Sequence, residues 1–208
     1  MDIEIIKASE LLTDPRSAMS KIFVEGWYDV LKMLCKNKSK LQRAFEHMFK
    51  LDDFYVALVD QRIMAFIAVS ERENERRVVH FDRKELRKHL GFIRGSLTNW
   101  ALTKEMIDKK YPFVIPAGMG VVEFVATLPE ARGKGLAGKL IEFVMADCGY
   151  QEYILEVVDT NYGAIKLYER LGFSEFTREK SKHPKKYSGF EYMIYMKRKN
   201  NGNSVIEV

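Results

Sequence analysis

Cysteine is scarce in this chain. Its 208 residues include only two, Cys35 and Cys148, in unrelated contexts and without Cys or His partners at metal-ligand spacing. A disulfide framework and a structural zinc are therefore not expected, and both thiols read as reduced core or surface groups. Long apolar runs are missing too: no stretch of 18 or more apolar residues occurs, and the opening MDIEIIKASELL carries acids inside a short apolar run. Neither a membrane span nor a signal peptide is supported, so a cytoplasmic protein without a membrane partner is expected. Internal repeats and low-complexity tracts are absent. The four histidines, His47, His80, His89 and His183, show no ligand or triad spacing and receive no chemistry.

What is present is enough apolar residue, 47%, for one well-buried core, in a length too short for two full domains. One domain over 1–200 with an insertion is expected, followed by a short tail at 201–208, polar in its first half, that frays. The net charge of +5 comes from 34 basic against 29 acidic residues, a mixed surface with a modest excess. Basic residues gather at 178–186, REKSKHPKK, and 197–199, KRK. A solvated loop and tail explain them without nucleic acid, which is not expected as a partner.

Hydrophobic periodicity places the elements. Residues 3–7 read as a strand, 18–35 as a helix interrupted at Gly26, and 40–50 as another helix. FYVALVD, 54–60, and RIMAFIAVS, 62–70, are β-rich runs joined near Asp60-Gln61, so an antiparallel hairpin is expected although Asp-Gln is a weaker turn than Asp-Gly. Residues 71–120 then look inserted. Asp82 and Glu85 make a capping-box-like start for a helix over 83–90 that Gly91 ends, and a second helix is expected over 96–109 with Leu97, Trp100, Ala101 and Ile107 broadly along one side. Toward the C-terminus come a strand at 172–179, a basic turn at His183-Pro184 and a strand at 189–197.

The most informative stretch is VVEFVATLPEARGKGLAGKL, residues 121–140. The β-compatible run Val121 to Thr127 stops at Leu128-Pro129, because proline lacks the N–H that a central strand needs. Small residues then alternate through Arg132, Gly133, Lys134, Gly135, Leu136, Ala137 and Gly138, so no side chain blocks an anion from the backbone amides. Leu136, Leu140, Ile141 and Val144 follow at helical spacing, which makes the turn a helix N-terminus. Arg132, Lys134 and Lys139 add charge. Two nucleotide-loop readings fit worse. A P-loop places a hydroxyl on magnesium where this chain has Leu140, and a dinucleotide fingerprint at Gly133, Gly135 and Gly138 lacks its βαβ sequel.

Arg132, Gly135 and Ala137 occupy the defined positions of an Arg/Gln-x-x-Gly-x-Gly/Ala signature, and Ile154 to Phe173, ILEVVDTNYGAIKLYERLGF, follows as strand, Asn, helix and Gly-Phe. The chain thereby resembles the GNAT superfamily of acyl-CoA-dependent N-acetyltransferases. The resemblance implies an α/β (α+β) fold: a mixed, mostly antiparallel sheet with a splayed parallel strand pair, flanking helices and here a helical insertion over about 71–120. It implies acetyl-CoA as cosubstrate and no metal. Its pyrophosphate would meet the amides of Gly133, Lys134, Gly135, Leu136, Ala137, Gly138 and Lys139, with Arg132 and Lys134 as charge partners. The backbone of Val125, Ala126 and Thr127 would contact the pantetheine and thioester.

By the same resemblance Asn161 would hydrogen-bond the pantetheine arm and Tyr168 would protonate the leaving thiolate. Asn161 also reads as a helix N-cap. Glu123, the one acid inside its apolar run, is a candidate base for the acceptor amine; the alternative is a sheet-surface carboxylate paired with a Lys or Arg. Glu25, Trp27 and Tyr28 lie at the Gly26 break, where similar proteins often shape the acceptor pocket. The expected activity is acetyl transfer to a primary amine, small-molecule or peptide, by direct attack in a ternary complex, and the family leaves room for a homodimer. The rival reading is a non-catalytic acyl-CoA-binding sensor or interaction domain.

Overall fold

The computed structural model describes residues 3–71, 77–182, 184–185 and 189–200. The expected tail at 201–208, and His183 of the basic turn, lie outside them. Along the chain come β1 (Ile3–Lys7), α1 (Arg16–Leu31), α2 (Lys38–Phe45), β2 (Phe54–Val59), β3 (Arg62–Glu71), α3 (Arg83–Leu90) and α4 (Phe92–Leu102). Then follow β4 (Met119–Thr127), α5 (Leu136–Cys148), β5 (Glu152–Val158), α6 (Tyr162–Arg170), β6 (Ser174–Lys180) and β7 (Tyr192–Lys199). The sheet order is β1-β2-β3-β4-β5-β7-β6. The pairs β1–β2, β2–β3, β5–β7 and β6–β7 are antiparallel, and β4–β5 is parallel. This is the mixed, mostly antiparallel sheet expected from the sequence.

The chain divides into two compact units. The first comprises Met1–Ala68, Arg77–Lys110 and Phe124–Leu140. Its core is aromatic: Phe23, Phe45, Phe49, Phe54 and Phe66 are all buried and meet mostly edge to face, with centroids 5.3 to 6.4 Å apart. Each such ring contributes roughly 1.5 to 3 kcal/mol by burial, and the edge-on pairs a little more. Ser20, buried in α1, donates its hydroxyl to the Gln42 carbonyl at 2.6 Å and so ties α1 to α2. The hairpin turns through Asp60 and Gln61, at φ 49° and 64°. Two left-handed residues match the right-handed twist of the strands, which is why a two-residue turn forms without glycine.

The inserted helices differ from expectation at one end. Asp82 caps α3 by accepting the Lys84 N–H at 2.6 Å, as the sequence suggests. The second helix starts at Phe92 rather than 96, because Gly91, at φ 87°, ends one helix and admits the next without a loop. It passes into a π-turn at Thr103–Ile107, closed by the Asp108 N–H on the Thr103 carbonyl at 2.9 Å. Gly95 lets α3 and α4 touch: a Cβ there would lie 2.5 Å from the Arg87 backbone.

The second unit comprises Val69–Arg76, Tyr111–Glu123 and Ile141–Val208. Buried Val121, Tyr153, Ile154, Leu155, Ile194 and Tyr195 fill it. Rings of Tyr111, Phe113, Phe176 and Tyr195 pack side by side. Asp159, at the end of β5, accepts the N–H groups of Glu191 and Tyr192 at 3.2 and 3.1 Å and thereby holds the start of β7. Cys35 and Cys148, both half-buried, are not joined in a disulfide.

Candidate active site

The glycine turn is built in the first unit. The Leu128 N–H donates to the Met64 carbonyl at 2.9 Å, and Pro129–Ala131 form one tight turn, so the chain leaves β4 on a fixed path. Gly133 and Gly135 stand at φ 75° and 79°, and a Cβ on either would meet nothing within 4 Å. Backbone angle, not crowding, is what demands glycine there. The space over the turn is open. The Lys139 N–H bonds the Gly135 carbonyl at 3.1 Å. No carbonyl of α5 can therefore serve the amides of Leu136, Ala137 and Gly138, which carry the positive end of a 13-residue helix. Leu136 and Gly138 are buried, whereas Arg132, Lys134 and Lys139 are exposed beside them. Arg132 Nε also reaches the Thr127 carbonyl at 3.4 Å. The arrangement suits an anion with several oxygens.

Just upstream, β4 is bent. Phe124 has φ 52°, which costs a bulky residue roughly 1 to 3 kcal/mol. Its ring packs against Phe23, Trp27 and Phe54 with centroids 6.3, 6.1 and 6.1 Å away. At about 0.5 to 1.5 kcal/mol each, those three contacts are enough to hold the strained angle. Trp27 is itself the non-helical residue of α1, at φ −112°. The kink in the helix and the kink in the strand thus meet ring to ring. The parallel register of β4 with β5 runs from Met119–Glu152 to Val122–Leu155, directly before this bend. Val125 and Thr127 are half-buried beyond it and Ala126 is buried. Of the three residues at the helix break, Trp27 reaches β4 through Phe124. Glu25 is held by Lys38 Nζ at 2.6 Å, the same ammonium lies 4.5 Å from the Tyr28 ring centre, and the Tyr28 hydroxyl donates to the Lys36 carbonyl at 2.8 Å.

The second unit carries Glu123, Asn161 and Tyr168. Glu123 is half-buried and accepts the hydroxyl of buried Ser70 at 2.9 Å. No sequence spacing announces Ser70, which lies 53 residues away. Asn161 is exposed at the start of α6, where its Oδ1 caps the helix by accepting the Ala164 N–H at 3.2 Å. Tyr168, two turns along α6, is buried, and desolvation pushes its phenol up to about 12. It keeps its proton throughout the neutral range. Tyr153, also raised by burial, accepts the Tyr150 N–H and donates to the Met145 carbonyl at 3.0 Å, a structural use of the hydroxyl. Among the described residues, no cluster of His, Cys, Asp and Glu is placed to hold a metal ion.

The family model described as acetyltransferase (GNAT) family matches residues 18–173. The chain is 35% identical over 79 residues to N-alpha-acetyltransferase 30 of Schizosaccharomyces pombe, covering 36% of this chain and 53% of that protein. It is 41% identical over 54 residues to the 5-NmdU N-acetyltransferase of Pseudomonas phage PaMx11, covering 26% and 39%. The aligned part is thus about half the length, or less, of these relatives. Among solved structures, an N-acetyltransferase from Staphylococcus aureus superposes with a TM-score of 0.61 at 17% identity, over 94% of this chain and 100% of the other. A structure from Corynebacterium glutamicum described as histone acetyltransferase HPA2 and related acetyltransferase superposes at 0.63 and 17%, over 99% and 100%. At such identities the superpositions establish the fold.

Proposed function

The chain belongs to the acetyltransferase (GNAT) family, and from that membership we propose an enzyme that moves an acetyl group from acetyl-CoA to a primary amine by direct attack in a ternary complex. The observation that carries the reading is the open turn at Gly133 and Gly135, which presents helix amides between three exposed cations. A pyrophosphate matches it in charge, in oxygen count and in needing close approach to backbone. Arg132, Lys134 and the amides of 133–139 hold that group in this reading. The backbone of Val125, Ala126 and Thr127 and the amide of Asn161 take the pantetheine arm.

Acetyl-CoA supplies the activated thioester: a C–N bond forms, a C–S bond breaks, the amine loses a proton and the sulfur gains one. A lysine-like amine costs about 4 to 5 kcal/mol to deprotonate at pH 7, so a base is valuable. Glu123 has that role, with Ser70 orienting its carboxylate. Tyr168, protonated to about 12, gives its proton to the sulfur. Trp27 shapes the acceptor side together with Phe124, while Glu25 and Tyr28 support the helix break through their contacts with Lys38 and Lys36. The acceptor is a small-molecule or peptide amine; the α-amine of a peptide belongs in any panel, since one similar protein is named an N-alpha-acetyltransferase.

The test is CoA release by the purified protein with acetyl-CoA and a panel of amines, beside Tyr168→Phe and Gly135→Glu. The proposal expects acceptor-dependent turnover, slowed in Tyr168→Phe and lost together with donor binding in Gly135→Glu. Tight CoA binding with no turnover on any acceptor would instead identify a sensor, and no CoA binding would overturn the reading.

A further inference from the structure

Helix α4 is amphipathic the wrong way round. At about 100° per residue, Ile93, Leu97, Trp100 and Lys104 fall within an arc of about 60°. The small residues Gly95 and Thr98 fall roughly opposite and are the ones buried. Large apolar side chains therefore point outward: Ile93 is 80% exposed, Leu97 57%, Trp100 61% and, at the start of the helix, Phe92 70%. Single exposed apolar residues are ordinary, but four on one short helix make a patch that folding leaves uncovered.

The margins of the patch are cationic. Arg87 lies 4.0 Å from the Phe92 ring centre and Lys104 Nζ lies 5.3 Å from that of Trp100, so positive charge flanks the aromatics at both ends. Residues 83–110 hold eight lysines and arginines against three acids, Glu85, Glu105 and Asp108. A second copy of the chain would bring the same cationic surface against itself, which disfavours it as the cover. A hollow beside the patch takes only Trp100 of the four and is otherwise walled by polar groups such as Arg83, Asn99, Lys104 and Asp108, so it offers no row of apolar sites to grip the anchors of a helical peptide. A fluid anionic surface requires no groove, accepts apolar tips between its headgroups and attracts Lys and Arg at the rim.

We propose that the outward face of α4 adsorbs to an anionic lipid surface, with Ile93, Leu97, Trp100 and Phe92 entering the headgroup region and Arg94 and Lys104 at its margin. That no helix among the described residues is long and apolar enough to cross a membrane does not bear on this, because α4 lies along the surface. The proposal stands apart from acetyl transfer, since none of these residues belongs to the donor or acceptor machinery.

The experiment is co-sedimentation of the full chain with vesicles of phosphatidylcholine alone and with phosphatidylserine added. Tryptophan emission is followed in parallel, in the chain and in Trp100→Phe. Partition onto the phosphatidylserine vesicles should exceed that onto phosphatidylcholine by roughly tenfold or more and weaken as salt rises. The emission should shift to the blue with Trp100 present and not in Trp100→Phe. Leu97→Asp, at an exposed site where folding is checked by circular dichroism, should lose the binding. Equal sedimentation of Leu97→Asp and the parent, or no sedimentation with either vesicle, overturns the proposal. So does a concentration-dependent dimer in velocity sedimentation that Leu97→Asp dissociates, or saturable binding of an acidic peptide in place of vesicles.

Discussion

Tyr168 shows how burying one hydroxyl makes stability depend on pH. Its phenol has an ordinary value of 10.0 and about 12 in the folded chain, so the folded state keeps the proton to a higher pH than the unfolded one. The resulting stabilisation is fully present below pH 10 and is lost as pH rises through 12, amounting to about 2 to 3 kcal/mol over that window. Urea unfolding from pH 9 upward should show this loss in the parent and a shallower one in Tyr168→Phe; equal slopes would disprove the assignment. In turnover, Tyr168→Phe should be slower by roughly 10- to 100-fold, at the low end of acid catalysis because a thiolate leaves readily. Glu123→Gln should lower the rate near neutral pH and leave it closer to the parent's at alkaline pH, where the acceptor is already neutral. His47 behaves oppositely to Tyr168. Its Nε2 accepts the Asp82 N–H at 2.8 Å, and burial, then neighbouring His80, holds it below its ordinary 6.5 against the milder pull of Asp82 and Glu85. Stability is therefore full above pH 6.5 and drains as pH falls through the lowered folded value. His47→Gln should flatten the acid side of the stability profile.

Elements depend on a few positions where backbone geometry overrides propensity. Gly95→Ala would place a Cβ 2.5 Å from the Arg87 backbone and should destabilise by about 1 to 3 kcal/mol, because neither helix can yield without parting. Chemical denaturation reads that directly. Gln61→Gly acts in the other direction: a left-handed Gln is strained, and an Asp-Gly turn should stabilise the hairpin by about 0.5 to 1 kcal/mol, with an unchanged denaturant slope. Helix α4 starts four residues before its apolar stripe suggests, because periodicity finds the interior of a helix whereas Gly91 decides where it can begin. Leu97 and Trp100 were expected along one side of that helix and are there, but on the outward side; helical spacing reports a stripe, not which way it faces.

For the molecule as a whole, a ligand that binds only the folded state must raise its stability. Acetyl-CoA at about 100 times its dissociation constant should add about 2.7 kcal/mol, and differential scanning fluorimetry should show a rise of roughly 5 to 10 °C. Gly135→Glu should abolish the shift and, because its side chain enters open space, lower the melting temperature only by the roughly 2 to 8 °C that a left-handed angle costing about 1 to 2 kcal/mol implies. By itself the sequence determined the hairpin at Asp60-Gln61 and the glycine turn, because each is written in neighbouring residues: alternation, a proline stop, glycines where φ is positive, then helical spacing; the mixed sheet with its parallel pair was implied by the resemblance of two such segments to the GNAT family. Asn161 as a cap was legible for the same reason. Only the tertiary structure decided that Phe124 takes a left-handed angle, that Trp27 packs against it, that Ser70 holds Glu123 across 53 residues, and that α4 turns its large apolar side chains outward. Those outcomes follow from packing between segments distant in sequence, where the energy of a contact appears only once the chain has brought its two partners together.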